Sequence, residues 1–385
     1  MKTINKKTSY ISNAYGLEDY FEKKVYSFAD DSADKIYQWF SGDNLYPNNV
    51  IDEIRKGTTL ESVLFEDRIY KTGNGFNSSD SALLSFFDEI KFKDVFSKSN
   101  DNFTKLGNNF SEIIIDENGK LVTINVMQPQ KCRLNNNGKS VYIYADWKNY
   151  DKKKSVSLPL YPNFKKFINK GIVYFKSVLH TKNEVNGFDH YGYNEKMSEA
   201  LLLNEKEHRR NNWQLNQIKN GFKKDFFLIS DFELTQREKA NAEKAFKEMS
   251  GDGQNGGIAN IESEGGKLVP ASADYEFDFT KDDTSDQIFL KMGFPRSLIG
   301  IKSGNAFSVE QVESDYDQYL PKVENQQKLI ISEYQTILDN HTKFNSNDLK
   351  VINTPPSIVL QNYMQYMNDE QKSKVIENVF SKYGI

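Results

Sequence analysis

The sequence carries one cysteine, Cys132, and four histidines, His180, His190, His208 and His341, spread along 385 residues. A lone thiol cannot close an internal disulfide, and no Cys/His spacing fits a structural zinc site. Long apolar runs are also missing. No stretch approaches the ~18 apolar residues of a membrane helix, and the opening MKTINKKTSYISNAYGLEDYFEKK lacks the apolar centre of a signal peptide. With 27% charged residues and a mean hydropathy of -0.68, the expected setting is aqueous: the cytoplasm in which the chain is made. A basic excess is absent too, with 50 Lys and Arg against 54 Asp and Glu and a formal charge of -4. Proteins that grip nucleic acid tightly carry a marked positive balance, so firm DNA binding is disfavoured while sliding contact is not.

The length predicts about two or three domains. Up to residue 100, short helical patterns (Asp34 to Phe40, Ser81 to Phe96) alternate with turn-like stretches such as TGNGFNSSD. From Asn109 the pattern sharpens. NFSEIIIDENGKLVTINVMQP is two β-rich runs around Asn118-Gly119, the preferred pair for a tight hairpin, and VYIYADW and GIVYFKSV add strands. A long helical pattern then runs from about Tyr193 to Gly221, with Met197, Leu201, Leu202, Asn204, His208, Trp213, Leu215 and Ile218 at mixed three and four spacings. After it KKDFFLI reads as a strand, Thr235 to Glu238 as a capping box opening a helix to Met249, IANIE and KLVPAS as strands, and Thr280 with Asp283 as the start of a helix to Phe294. The fold class is α+β, with a small α/β insert held between two helices.

Several chemical motifs fail on context. Asn137-Gly138-Lys139-Ser140 imitates the end of a phosphate-binding loop, but Arg133 stands where the first glycine is required, so it reads as a turn. Gly251, Gly253 and Gly256 satisfy a dinucleotide-loop spacing, yet they follow a helix and precede a strand, the reverse of what presents a helix N-terminus to a pyrophosphate. Asp282, Asp283 and Asp286 could hold a divalent metal, but acids at a helix start more simply complement the helix dipole. His190 and His208 have no Ser/Asp companions of a triad. The clusters NFKKFINKG (163 to 171) and GFKKDFF (221 to 227) could stack on nucleic acid, although Lys223 and Lys224 also suit a helix C-terminus. The motifs favour no enzyme, metal or cofactor.

The most irregular stretch is KMGFPRSLIGIKSGNAFSVEQVESDY, residues 291 to 316. Pro295 is expected to stop one helix, and Ser308 with Gln311 to cap the next, which sustains its apolar spacing through Val309, Val312, Tyr316, Tyr319, Val323, Ile330, Tyr334 and Ile337. Between them lie Arg296, Ser297, Leu298, Ile299, Gly300, Ile301, Lys302, Ser303, Gly304 and Asn305, expected to present small, mobile and apolar residues. The interval is longer than an ordinary helix connection. Pro321 within the following helix costs roughly 3 kcal/mol and predicts a kink compensated by packing. A last helical pattern spans Ser357 to Tyr383.

Taken in order, these segments resemble the phage portal protein family. KMGFPRSLIG is similar to the motif before the family's tunnel loop at Gly293, Phe294, Pro295, Leu298 and Gly300, with glycine and aromatic exchanged in order. SVEQVESDYDQYLPKVENQQKLI resembles the helix that follows, Pro321 taking the place of its mid-helix proline, and LGNNFSEIIIDENGKLVTINVMQP and GIVYFKSVLH resemble strands upstream. The likeness spans about residues 105 to 340. It implies an elongated subunit: wing at 1–192, first stem helix at 193–221, clip at 222–278, second stem helix at 279–294, tunnel loop at 295–307, long wing helix at 308–344 and a crown-like helical segment at 345–385. It further implies a closed ring, usually a dodecamer, at one capsid vertex of a bacteriophage. Double-stranded DNA would pass through it during packaging and ejection, lined by the loop residues Arg296 to Asn305. The implied partners are further copies of the chain, the terminase large subunit, the major capsid protein and a head-tail adaptor, with no membrane. Rival readings are another virion structural protein without a tunnel, and a magnesium-dependent nucleic-acid enzyme using the acids at 282 to 286.

Overall fold

The computed structural model describes residues 37–40, 43–185, 190–219, 226–229, 235–237, 267–270, 284–299 and 307–356. Helices lead: α1 (Tyr46–Ile54), α2 (Thr58–Thr72), then strand β1 (Gly75–Asn77), α3 (Ser81–Glu89) and α4 (Phe92–Leu106). A run of strands follows: β2 (Asn108–Asp116), β3 (Leu121–Met127), β4 (Cys132–Leu134), β5 (Ser140–Ile143), β6 (Val156–Pro159), β7 (Lys165–Asn169) and β8 (Ile172–Lys182). The rest comprises α5 (Glu195–Lys219), β9 (Phe226–Ile229), β10 (Lys267–Pro270), α6 (Thr284–Met292), α7 (Val309–His341) and β11 (Lys350–Ile352). The architecture is mixed α+β, as expected.

The main sheet is antiparallel with order β3-β2-β8-β7, and its first hairpin turns at the expected Asn118-Gly119. Gly119 takes φ +78, a conformation that costs glycine little. Asp116 Oδ1 closes the turn by accepting from the backbone N–H groups of Asn118 at 2.9 Å and Lys120 at 2.8 Å. A second sheet, β4-β5-β6, holds the Asn137 to Ser140 turn between its first two strands. Arg133 is fully buried there, its guanidinium donating to Asn44 Oδ1 and to main-chain carbonyls, so this segment is a structural corner.

Among the described residues two apolar clusters form the interior, and α7 serves both. Val312, Tyr316, Tyr319 and Val323 enter the cluster built from α1, α2, α5 and α6. Ile330, Ile331, Tyr334, Ile337 and Leu338 enter the one built from α3, α4 and the main sheet. Between them Gln326 donates to Asn100 and Thr104, and Gln327 to the carbonyl of Lys71, so a polar layer separates the clusters along one helix. Pro321 lies on the exposed side of α7, which continues across it. Burial of Tyr319 and Val323 on either side contributes about 1.5–3 kcal/mol for each side chain and offsets the lost backbone bond.

The Tyr334 hydroxyl anchors the second cluster, 2.6 Å from Ser99 Oγ, 2.7 Å from Ser111 Oγ and 3.4 Å from Asn109 Nδ2. Both serines are completely buried. Ser99 Oγ also donates to the Val95 carbonyl and Ser111 Oγ also accepts from Asn109 Nδ2, so Tyr334→Phe removes one of two partners from each; it is expected to cost about 0.5–1.5 kcal/mol, read as a lower urea midpoint at unchanged m-value.

Four expectations are corrected. Asp34 to Phe40 is not helical over its described part: Tyr37 forms an isolated antiparallel bridge to Asn135, and Gln38 bonds Leu134 and Tyr191. Ser81 to Phe96 is broken between α3 and α4 at Lys91, which adopts φ 54. The turn-like TGNGFNSSD contains β1, and the segment 345–385 does not begin as helix, because β11 pairs antiparallel with β1 and Leu349 enters the second cluster. At Tyr37 and at β1 and β11 tertiary partners outweighed local pattern. The expected helices at 235–249 and 357–383, the IANIE strand and the glycines at 251, 253 and 256 lie wholly or almost wholly outside the described residues.

Candidate functional site

The expected break after the second stem helix is real, but its cause is not Pro295. Helix α6 ends at Met292, and Gly293 takes φ +66. Its N–H donates to the Leu290 carbonyl at 3.1 Å, while the Phe294 N–H donates to the Phe289 carbonyl at 3.1 Å. This pair of bonds is the glycine-based Schellman stop, with buried Phe294 and Phe289 supplying its apolar contact. Pro295 follows a helix already ended.

The chain does not then swing free. Arg296–Ile299 form a 3-10 turn, closed by Leu298 N–H donating to the Pro295 carbonyl at 3.1 Å. Leu298 is 8% exposed and belongs to the first apolar cluster, with Ile299 packed against it. Ser297 Oγ donates to Asp315 Oδ2 at 2.6 Å, and Gln311 holds the other oxygen of that carboxylate at 2.8 Å. Arg296 pairs with Asp286 one helix back. The expectation that residues 295 to 307 present Leu298 and Ile299 outward is therefore corrected for the first half of the interval, which is strapped to the subunit. Gly300, Ile301, Lys302, Ser303, Gly304 and Asn305 lie outside the described residues. The restart is as expected, with Ser308 Oγ accepting from Gln311 N–H at 3.2 Å.

Helix α5 runs antiparallel beside α6, joined by a Lys291–Glu199 pair near one end. Its buried Glu207 caps a different helix. The N-cap of α2 is Gly57, which has no side chain to offer, and Glu207 instead accepts from Thr59 N–H at 3.3 Å and from the hydroxyls of Thr58 and Thr59 at 3.1 and 2.8 Å. A carboxylate there satisfies orphan donors and complements the helix dipole. Farther along α2, Asp67 accepts from the Tyr319 hydroxyl and pairs with Lys71 at 2.7 Å. Burial, reinforced by the Asp67 charge, holds the Tyr319 phenol well above its ordinary range.

In the sequence between α5 and α6, β9 and β10 pair antiparallel in a small sheet. The basic cluster at 163–171 forms β7 and its turn into β8, with Ile168 and the following Ile172 exposed at the tip. Lys223, Lys224, Asp282 and Asp283 are outside the described residues. Asp286, the one described acid of the suggested metal trio, is engaged by Arg296; among the described residues no group of three His, Cys, Asp or Glu could hold a metal ion. Cys132 is buried, and burial pushes its thiol up to about 12. Sequence reading missed Asp67, Glu207 and Asp315, each of which acts on a partner distant in sequence; no local signal marks them.

No protein-family profile matches the sequence. No curated protein matches it either. Solved structures do. The chain is similar to one in the virion of a native gene transfer agent particle, at 14% identity over 90% of each chain with a TM-score of 0.50. It is similar to a chain in the neck of an empty gene transfer agent particle computed with C6 symmetry, at 14% identity over 86% of this chain and 94% of that one, with a TM-score of 0.51. A third match is the neck of a native particle computed with C12 symmetry, at 14% identity over 86% and 93%, with a TM-score of 0.50. The mixed α+β fold of this chain is thus one found in the necks of phage-like particles.

Proposed function

We propose that this chain is a portal subunit: a ring-forming virion protein at the head-tail connection, through which double-stranded DNA passes during packaging and ejection. The observation that carries the reading is the fold likeness to neck chains over nearly the whole length, those necks being computed with C6 and C12 ring symmetry. The order of elements supports it: two helices, α5 and α6, flank a small insert, and a capped break leads into the long α7. In this reading the described body is the wing with the stem helices, β9 and β10 belong to the clip, and residues 300–306 supply the rest of the tunnel loop.

The role is passive, with no enzymatic step. In this reading its partners are the capsid shell, the terminase motor during packaging and the head-tail adaptor afterwards. A head-to-tail contact between unlike surfaces closes into a ring by rotation. Electron microscopy of the purified full chain is expected to show rings with a central hole, about twelve-fold by the symmetry argument. A monodisperse monomer at high concentration would overturn the proposal.

A further inference from the structure

Three lysines from three helices meet at the foot of the proposed tunnel loop. A methyl group placed on Gly293 would lie 3.5 Å from Lys322 Nζ and 3.8 Å from Lys196 Nζ, so both ammonium groups converge on the space that a glycine leaves open. Lys196 lies in the first turn of α5, Lys322 follows Pro321 in α7, and Gly293 ends α6. Lys71, held by Asp67 and Thr104, adds its charge to that felt by Lys196.

The charges do not balance locally. Asp67 lies close enough for its charge to act on Lys196, but it is taken by Lys71 at 2.7 Å and by the Tyr319 hydroxyl. Neither Lys196 nor Lys322 makes an ion pair with a described residue, and the hydrogen bond that Lys322 donates to the Gly293 carbonyl is a long one, 3.4 Å. Partial burial, followed by the charges of Lys322 and Lys71, holds Lys196 below the ordinary lysine value. Like charges gathered in this way are relieved by an anion between them. By contrast Arg296, the cation expected to face the channel, is neutralised by Asp286.

We propose that Lys196 and Lys322, over the bare backbone of Gly293, form a binding site for a phosphate oxyanion. Ammonium groups are compact point donors that accept a tetrahedral oxyanion from several directions, and the absence of a Cβ leaves room for the anion between them. Naming a passing duplex as the source of that phosphate rests on the portal reading; inorganic phosphate offers the same chemistry. Two lysines for each subunit would give weak, salt-sensitive contacts, which hinder sliding less than a dense basic lining.

The test is site-resolved labelling of lysines in the full-length protein with an amine-reactive ester, read by mass spectrometry. A short duplex at low salt is expected to slow labelling of Lys196 and Lys322 about threefold and to lose that effect at ~0.5 M salt, while the exposed Lys154 is unchanged. Protection by inorganic phosphate alone would keep the site and remove the duplex as its source. Protection by neither would overturn the site. A Lys196→Gln, Lys322→Gln variant is expected to lower the salt slope of duplex binding by about 1 for each lysine replaced, whereas the two Lys→Arg changes preserve it. Imaging the same preparation separates the two claims: rings without protection sink the site alone, and protection without rings sinks the portal reading alone.

Discussion

Asp67→Ala is expected to destabilise the subunit by about 3–5 kcal/mol, the cost of leaving one member of a buried ion pair alone. Asp67 is 6% exposed, and its loss would leave Lys71 and the Tyr319 hydroxyl without the carboxylate that holds them. Lys196 would also lose the attraction of the Asp67 charge. The link is mechanical as well as electrostatic, because Asp67 ties α2 to α7 through the Tyr319 hydroxyl. Replacing the pair together, Asp67→Ala with Lys71→Met, is expected to recover most of the loss, since two uncharged side chains leave no buried charge unpaired. Urea midpoints of the two single variants and the double variant measure the coupling. An Asp67→Ala loss below about 1 kcal/mol would mean the pair is solvated and of no structural weight.

Acid is expected to destabilise the protein through His180 before the carboxylates respond. The His180 ring stacks on Phe110 at 4.2 Å between centroids, and Nε2 lies 3.0 Å from Asn108 Oδ1, to which the neutral ring donates. The residue is half-buried; burial, with a smaller push from Lys182, lowers its pKa from 6.5 to about 3. The sign follows directly. Below 6.5 the unfolded chain takes a proton that the folded chain refuses, so unfolding binds protons and stability falls as pH falls. The slope approaches about 1.4 kcal/mol for each pH unit within that window. Asp348, drawn down to about 2 by Ser79 and Ser78, titrates below it. Urea midpoints between pH 6.5 and about 5 are therefore expected to drop in the native protein. In His180→Gln, which keeps a donor for Asn108, they are expected to be flatter. Equal slopes in the two proteins would show that His180 protonates freely when folded.

Much of the fold could be read from the chain because its signals are short-ranged. Asn118-Gly119 turns the first hairpin where expected, since an Asx bond and a positive φ are settled within a few residues. The apolar spacing from Val312 to Ile337 marks the buried face of α7 almost residue by residue, because a helix places every third or fourth side chain on one side. The same reasoning failed at Tyr37, where a helical pattern yielded to a bridge with Asn135, and at Leu298, where an apolar residue beside glycines reads as loop but packs as core. Glu207 reads as one more surface acid of a long helix; only the arrival of α2 makes it a cap.

The amino-acid order by itself determined the α+β class, the main hairpin, the long helix with its serine cap and the existence of a break near residue 295. These follow from hydrogen bonds and periodicity within a turn or two of chain. The tertiary structure alone decided that Leu298 is interior, that Arg296 is neutralised and that Lys196 and Lys322 converge over Gly293. Burial and charge balance depend on which surfaces meet, and residues far apart in the chain carry no local mark of meeting.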